Sequence, residues 1–143
     1  MEGAAVAAEA RRWLGTPFQH QGRVLGTGVD CAGLVIGVAR ALGLSSYDAT
    51  GYARQPDGHS LAAQCEAQMR RLPAAAPLQA GDVLLLRMGR DPQHLAFVAA
   101  VDEAGRPATL IHAYAEIGRC VEHRLDARWR RRILRAYRLP GVR

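Results

Sequence analysis

Residues 16–35, TPFQHQGRVLGTGVDCAGLV, place a glycine-rich loop directly before a cysteine that opens an apolar run. Asp30 is a residue type that caps helix N-termini and Gly43 one that ends helices, so the pattern predicts a buried helix over residues 30–43. Cys31 then lies one step inside the N-terminus, among unpaired backbone N–H groups and at the positive end of the helix dipole. Both effects favour a thiolate, and the same N–H groups can stabilise an oxyanion. This setting makes Cys31 a candidate nucleophile.

The loop before Cys31 contains Gly22, Gly26 and Gly28. Because glycine adopts backbone conformations closed to other residues, we expect these three to let the loop turn sharply and to keep bulk away from the thiol. A thiol that is exposed and has a lowered pKa would react with iodoacetamide well below about pH 8.

The three cysteines are far apart in the sequence and odd in number. A free cysteine is most often a small buried apolar residue, and this interpretation is kept for Cys65, in mid-helix, and for Cys120, which opens a strand. For Cys31 taken alone the same interpretation prevails. The chain has no C-x-x-C pair, so we expect free thiols, no metal site and no cofactor.

Helices are predicted in the first half of the chain and strands in the second. The predicted helices cover residues 3–14, 30–43 and 61–72, the last capped by Ser60. The predicted strands cover residues 82–88, 94–101, 108–114, 119–125 and 133–139, with a hairpin turn over 102–107. This order predicts an α+β fold with an antiparallel meander, and 143 residues suit one domain spanning residues 1–143.

A nucleophilic thiol needs an imidazole beside it, and two of the five histidines share one face of the predicted hairpin. With residues 97 and 109 as the candidate pair, His94 and His112 lie opposite each other within a couple of residues and on the same face. A lone strand histidine is more often structural, but the pair is less easily dismissed. His20 lies in the loop that leads to Cys31.

The other two histidines, His59 and His123, are predicted to be solvated surface residues. His59 lies in a polar loop, and His123 is flanked by Glu122 and Arg124 on a strand that the pattern indicates is exposed.

The net charge is +6, and all 19 basic residues are arginine. Such a surface favours anionic partners, and the densest cluster is RWRRRILRAYR at 128–138. An arginine-rich solvated face is the preferred interpretation of this cluster over nucleic-acid binding, because no nucleic-acid reading motif accompanies it. We therefore expect no nucleic-acid partner.

The hydropathy pattern predicts neither a membrane span nor a signal peptide. The longest apolar run, LAFVAAV at 95–101, falls far short of the roughly 20 residues that cross a bilayer, so no membrane insertion is expected. Glu2 and Glu9 interrupt the N-terminal apolar positions, which therefore read as an amphipathic helix. The chain is expected to be made in the cytoplasm without a signal peptide and to be delivered by a partner.

Five segments together resemble the NlpC/p60 family, and more specifically its short phage-type cell-wall peptidases: GTPFQHQG, GVDCAGLV, AGDVLLL, QHLAFVAAV and LIHAY. The resemblance runs from about Gly15 to the closing strand. It implies a papain-like α+β fold in which N-terminal helices, with the nucleophile at a helix N-terminus, pack on an antiparallel sheet. It assigns the nucleophile to Cys31, the general base to His94 and the residue that orients the base to His112.

The resemblance also implies an activity. Members of the family cut amide bonds in peptidoglycan stem peptides, often between D-glutamate and diaminopimelate, through a thioester acyl-enzyme. Association with a virion or phage tail, and with phage tail proteins as partners, would deliver such an enzyme to the cell wall. The alternatives are a catalytically degenerate tail-tip structural or wall-binding component and, with the same chemistry, a secretion-system amidase toxin.

Three residues around the cysteine are predicted to bind substrate: Phe18, His20 and Asp30. Many family members carry tyrosine where this chain has Phe18. The missing hydroxyl removes one polar contact near the oxyanion or the substrate, which His20 or a water could replace.

Overall fold

The computed structural model describes all residues 1–143, which form four helices and eight strands. The helices are α1 Gly3–Arg11, α2 Cys31–Ala41, α3 Ser60–Gln68 and α4 Ala127–Arg130. The strands are β1 Arg23–Val24, β2 Gly28–Val29, β3 Arg70–Arg71, β4 Val83–Met88, β5 Asp91–Val101, β6 Pro107–Tyr114, β7 Arg119–Arg124 and β8 Ile133–Arg138. Three helices precede most of the sheet, so the predicted α+β class is confirmed. No helix combines the length and the apolar character needed to cross a membrane.

The main sheet has six antiparallel strands in the order β3-β8-β4-β5-β6-β7, and β1 and β2 form a separate small hairpin. Strands β4 to β7 are consecutive neighbours, as the predicted meander requires. The last strand, β8, returns to pair with β4 on its outer side. The five predicted strands all form, with boundaries within about three residues of the expected ones.

Both faces of the sheet are covered, because the central strands carry apolar residues at successive positions, and successive side chains point to opposite faces. One face, which includes Leu95, Phe97 and Ile111, packs with residues of α1 and α2 in a cluster of 20 buried residues. The other face carries a smaller cluster of six buried residues, with Trp129 of α4 packed against it. The side chains of β5 and β6 are therefore distributed between two separate cores.

The structure corrects the predicted third helix at both ends. The N-cap residue is His59 instead of Ser60, whose backbone N–H donates to the Asp57 carboxylate at 2.7 Å. The helix ends at Gln68, because the following arginines pair with the last strand, Arg70 with Arg138 and Arg71 with Tyr137. Strand pairing competes for this segment and outweighs its helical composition. Elsewhere α1 ends at Arg11 and α2 at Ala41, and the short helix α4 and the two-residue strands β1, β2 and β3 were not predicted.

The loop glycines are required by packing within the loop itself. A Cβ on Gly22 would lie 2.6 Å from the backbone of Gly28, so the two backbones approach too closely for any side chain. A Cβ on Gly33, in the first turn of α2, would collide with the carbonyl oxygen of Gly22. These contacts seat the loop against the first turn of α2, and Gly26, with φ of 80° and open space around it, provides the sharp turn that was expected. That the glycines keep bulk away from the thiol stays a prediction.

An ion pair between Asp82 and Arg138 ties β4 to the last strand. Asp82 is fully buried and accepts hydrogen bonds from Arg138 Nε at 2.7 Å and Nη2 at 2.9 Å, which makes the ion pair bidentate. Its second oxygen also accepts the backbone N–H of Gln79 at 2.9 Å. The Gly-Asp step ahead of β4 thus has a structural role, and one arginine of the 128–138 cluster is part of the protein interior.

We expect Arg138→Ala to lower the free energy of unfolding by about 3–5 kcal/mol, because it leaves the buried Asp82 carboxylate without its cation. The measurement is urea denaturation followed by circular dichroism. Arg143→Ala is the matched control, since its pair with Glu2 is exposed, with side chains 82% and 71% accessible, and should change stability by less than about 1 kcal/mol. Equal effects of the two substitutions would contradict this assignment.

Candidate active site

The first turn of α2 is fixed by one carboxylate, that of Asp30. Its Oδ1 accepts the backbone N–H of Gly33 at 2.7 Å, the N-cap bond predicted from sequence, and Arg23 Nη1 at 3.1 Å. Its Oδ2 accepts the backbone N–H of Gln21 at 2.8 Å and the hydroxyl of Tyr52 at 2.5 Å. Asp30 is buried and both its oxygens are engaged, so it fixes the backbone and side chains around Cys31, and its contact with substrate stays a prediction.

Cys31 is the first residue of α2, and its side chain is partly exposed. The backbone N–H groups of Cys31 itself, Ala32 and Leu95 lie near enough to its sulfur to lower its pKa. Burial and then the Asp30 carboxylate act in the opposite direction and raise the pKa of Cys31 to about 11. The N–H groups expected at a helix N-terminus are present, but the expected low-pKa thiol is not: the resting group is a neutral thiol.

Cys31 lies beside strand β5 at Leu95, whose backbone N–H lowers the pKa of the thiol and which directly follows His94 in the sequence. The ladder between β5 and β6 starts at Phe97–Ile111, so the two strands are not paired beside His94. The unpaired stretch leaves the N–H of Leu95 available on that side of β5. The N-terminus of α2 therefore reaches the same end of β5 that carries the histidine.

His94 and His112 share one face of the sheet, as predicted, although the register differs. The observed pairing of 97 with 111 shifts the strands by two residues from the expected pairing with 109, which preserves the face. The Nε2 of His94 and the Nδ1 of His112 are 2.6 Å apart, and both rings are buried. His94 Nδ1 makes no hydrogen bond within the protein.

Burial keeps both imidazoles neutral. It lowers the pKa of His94 to about 4, assisted by the positive charge of Arg132 and by His123. It lowers the pKa of His112 to about 2, assisted by His94 and His123. The thiol of Cys31 and the imidazole of His94 are therefore both shifted towards their neutral forms.

Solved structures with this arrangement of helices and strands include the NlpC/p60 domain of peptidoglycan hydrolase SagA, at 22% identity and a TM-score of 0.66, covering 97% of this chain and 100% of that one. An NlpC/p60 family protein from Bacillus cereus is similar at 16% identity and a TM-score of 0.67, covering 99% and 41%. The structure of Ly7917 with the hydrolyzing product of MDP is similar at 14% identity and a TM-score of 0.61, covering 97% and 63%. The chain has the NlpC/p60 fold.

The resemblance predicted from the five sequence segments is thus confirmed at the level of the fold. No protein-family model matches the chain, and no curated protein does either. The chain spans the whole SagA domain but well under two thirds of the Bacillus cereus protein. The phage-type subgroup stays a prediction.

Within this NlpC/p60 fold, the structure corrects the prediction for His123. Its ring is half-buried, and its Nε2 lies 2.8 Å from the Nε2 of His112, while its Nδ1 lies 2.7 Å from the carbonyl oxygen of Arg124. His94, His112 and His123 therefore form a hydrogen-bonded series, called the histidine row below. His112 pairs with Val121 of β7, and His123 lies two residues further along that strand. Because alternate residues of a strand share a face, His123 lies on the same face of the sheet as His112, and the alternation along β7 is the sequence signal that could have shown this. The predicted exposure of His59, by contrast, is confirmed, with its side chain 81% accessible.

The other predicted substrate-binding residues lie in the loop that precedes α2. Phe18 is half-buried and packs against the main core together with Cys31. His20 faces Tyr52, whose carbonyl oxygen lies 3.0 Å from its Nε2, and makes no hydrogen bond to Cys31. Tyr52 brings a hydroxyl to Asp30, and burial and this hydrogen bond raise its pKa. Sequence analysis missed Tyr52 because it lies in a long loop 21 positions after the cysteine, where no periodicity indicates a contact.

A cleft of about 840 Å³ lies beside the histidine row. His123, Tyr114 and Trp129 line it, with the Tyr114 ring stacked on that of His112 at 5.3 Å between ring centres. Three arginines of the lining, Arg119, Arg128 and Arg132, make no ion pair, although the Arg132 guanidinium lies over the Trp129 ring. Of the two carboxylates in the lining, Glu122 is already bound by Arg11, so the cleft has unpaired positive charge.

We expect Asp30→Asn to lower the pH at which Cys31 becomes alkylated. The asparagine can still accept the N–H of Gly33, whereas the negative charge that raises the pKa of Cys31 is removed. The measurement is the pH profile of iodoacetamide labelling, read by mass spectrometry of the Cys31 peptide. The matched control is Asp48→Asn, which removes another carboxylate bound to Arg23 and should leave the profile nearer the wild type. An unshifted profile in Asp30→Asn would show that its charge does not act on the thiol.

The two buried histidines also predict acid sensitivity. Their folded-state pKa values, about 4 and about 2, are below the ordinary value of about 6.5, so the unfolded chain binds more protons as the pH falls. Stability from this source is fully present above about pH 6.5 and is lost progressively below it. We expect the melting temperature to fall from pH 7 to pH 4 less steeply in His112→Asn than in wild type. The exposed His59→Asn variant should keep the wild-type slope.

Proposed function

We propose that the protein is a cysteine peptidase that hydrolyses amide bonds in peptidoglycan stem peptides, with Cys31 as nucleophile, His94 as general base and His112 as the residue that orients His94. The observation that carries the proposal is that the N-terminus of α2, at Cys31, lies against β5 at the residue that follows His94. Three backbone N–H groups lie near enough to the sulfur to lower its pKa, one of them from the residue after His94. The His94 ring is in turn held by His112 at 2.6 Å.

The chemistry follows from the neutral resting pair. As the sulfur attacks the carbonyl carbon of the substrate, the thiol proton passes to the free Nδ1 of His94, and a carbon–sulfur bond forms. The negative charge that develops on the carbonyl oxygen can be stabilised by N–H groups at the start of α2. His94 then gives its proton to the leaving amine, which leaves a thioester on Cys31. A water molecule, deprotonated by His94, hydrolyses the thioester and restores the thiol.

The loop before α2 forms one wall of the proposed site. Phe18 packs, like Cys31, against the main core, and His20 with Tyr52 closes the loop onto Asp30. Asp30 holds this loop and α2 in one arrangement through both of its oxygens. In this proposal Phe18 and His20 border the substrate, whereas Asp30 positions the residues that do so.

The cleft beside the histidine row suits an anionic peptide. Stem peptides carry free carboxylates, and the unpaired guanidinium groups of Arg128 and Arg132 are able to bind such groups through paired hydrogen bonds. Trp129 and Tyr114 provide apolar ring surfaces in the same cleft. This supports an anionic peptide substrate, and the family resemblance suggests the D-glutamyl–diaminopimelate bond as the bond that is cut. The proposal extends to association with a phage or prophage tail, which the same resemblance suggests.

The decisive experiment is digestion of purified peptidoglycan and muropeptides, with products identified by mass spectrometry. We expect wild type to release stem-peptide fragments and Cys31→Ala to release none, because no other thiol has the same setting. Cys120→Ala is the matched control: this thiol is buried on β7, its pKa is raised by burial to about 12, and its removal should leave cleavage intact. A wild-type protein that is folded but releases no fragment would support a catalytically inactive, wall-binding or structural role instead.

A further inference from the structure

We propose that His123 is a positioning residue that fixes the tautomers of His112 and His94, so that the Nδ1 of His94 carries a lone pair and no proton. The assignment rests on the proposed function only in giving His94 the role of base. The hydrogen bonding of the histidine row is a property of the fold and can be measured without any substrate.

The histidine row ends at a group that can only accept. His123 Nδ1 lies 2.7 Å from the carbonyl oxygen of Arg124, and a carbonyl oxygen has no proton to donate. The proton of a neutral His123 must therefore be on Nδ1, and its Nε2 is an acceptor. The Nε2 of His112, 2.8 Å away, must then be the donor of the second hydrogen bond.

The same logic continues along the row. A neutral imidazole has one N–H, so a His112 that donates from Nε2 accepts at Nδ1. The Nε2 of His94, 2.6 Å from that Nδ1, must donate. Three neutral imidazoles have three N–H protons, and the three hydrogen bonds use all of them. None remains for the Nδ1 of His94, which is the nitrogen that needs a lone pair to accept the thiol proton.

The surroundings support the neutral forms on which this count depends. Burial lowers the pKa of His94 and of His112, and the positive charge of Arg132 disfavours a further proton on His94. The Trp129 ring lies edge-on to His112 and tilted against His123, each at 5.1 Å between ring centres, and holds the two rings in place. Without His123, the His112 ring could donate from either nitrogen, and both tautomers of His94 would be available.

The test uses three substitutions of His123 that differ in what they offer to His112. His123→Gln supplies an amide oxygen that can accept, His123→Phe supplies neither donor nor acceptor, and His123→Lys supplies only donors. A donor at this position would force His112 and His94 into the opposite tautomers. His59→Phe and His59→Lys are the matched controls, because His59 is exposed and outside the row.

The kinetic outcome expected at about pH 8, well above the ordinary pKa of imidazole, is a loss in kcat with little change in KM. His123→Phe should lose about tenfold, the lower end of the effect of removing an outer hydrogen-bond partner from a metal-bound histidine. His123→Lys should lose at least about 100-fold, the lower end of what general-base catalysis contributes. His123→Gln should recover most of the activity. A His123→Lys variant that folds and has wild-type kcat would overturn the proposal.

Nitrogen-15 spectra of the imidazoles read the tautomers directly, in wild type and in Cys31→Ala. We expect His94 and His112 to be protonated at Nε2 and His123 at Nδ1, and we expect His123→Lys to reverse the first two. A wild-type His94 protonated at Nδ1 overturns the proposal. If the expected tautomers are found but peptidoglycan is not cleaved, the proposed function fails while the tautomer assignment stands.

Discussion

The start of α2 depends on the carboxylate of Asp30, which holds four separate groups with two oxygen atoms. It caps the helix at Gly33 and binds Arg23, the backbone of Gln21 and the hydroxyl of Tyr52. Because a buried carboxylate is costly unless it is paired and hydrogen-bonded, these partners are needed for the residue to be buried at all. The loop, the helix and the segment around Tyr52 are thereby placed relative to one another at the residue next to Cys31. The same charge raises the pKa of the thiol, so the group that positions Cys31 also favours its protonated form.

A second constraint arises because the two halves of the candidate site belong to different faces of the sheet. Cys31 packs with the core on the helical face, whereas His94 lies opposite Leu86 and on the face that carries the smaller core. Strand β5 links the two, because its pairing with β6 begins only at Phe97–Ile111, beyond the histidine. The gap gives the N-terminus of α2 access to the N–H of Leu95. A continuous ladder would use this group within the sheet and separate the sulfur from the strand that carries His94.

Sequence patterns predicted the parts of this structure that depend on local chemistry and on strand parity. The N-cap at Asp30, the strands of the meander and the shared face of His94 and His112 follow from residue type and from the period of two. The parity survived a register shift of two residues because such a shift leaves every side chain on its own face. What sequence could not show depends on long-range pairing. The end of α3 is set by Arg71 pairing with Tyr137, and these residues are far apart in the chain.

The role of His123 was missed for a related reason. Charged neighbours on a strand indicate an exposed residue, and Glu122 and Arg124 do flank it. This position is instead partly buried by α4, a single helical turn whose Trp129 ring packs against His123 and which is too short to give a periodic sequence pattern. Local polarity therefore gave the wrong environment for a residue whose surroundings come from another segment.

Three histidines in contact would ordinarily suggest a metal site, but the geometry of this row argues for proton ordering. A metal needs several lone pairs that converge on one point, whereas here the ring nitrogens face one another in sequence at 2.6 and 2.8 Å. Each of these nitrogens is occupied by its neighbour, and the last is occupied by the carbonyl of Arg124. The only ring nitrogen of the row left without a protein partner is the Nδ1 of His94. A row that ends at an acceptor thus directs its one free lone pair to the opposite end, where the proposed mechanism needs a base for the Cys31 thiol.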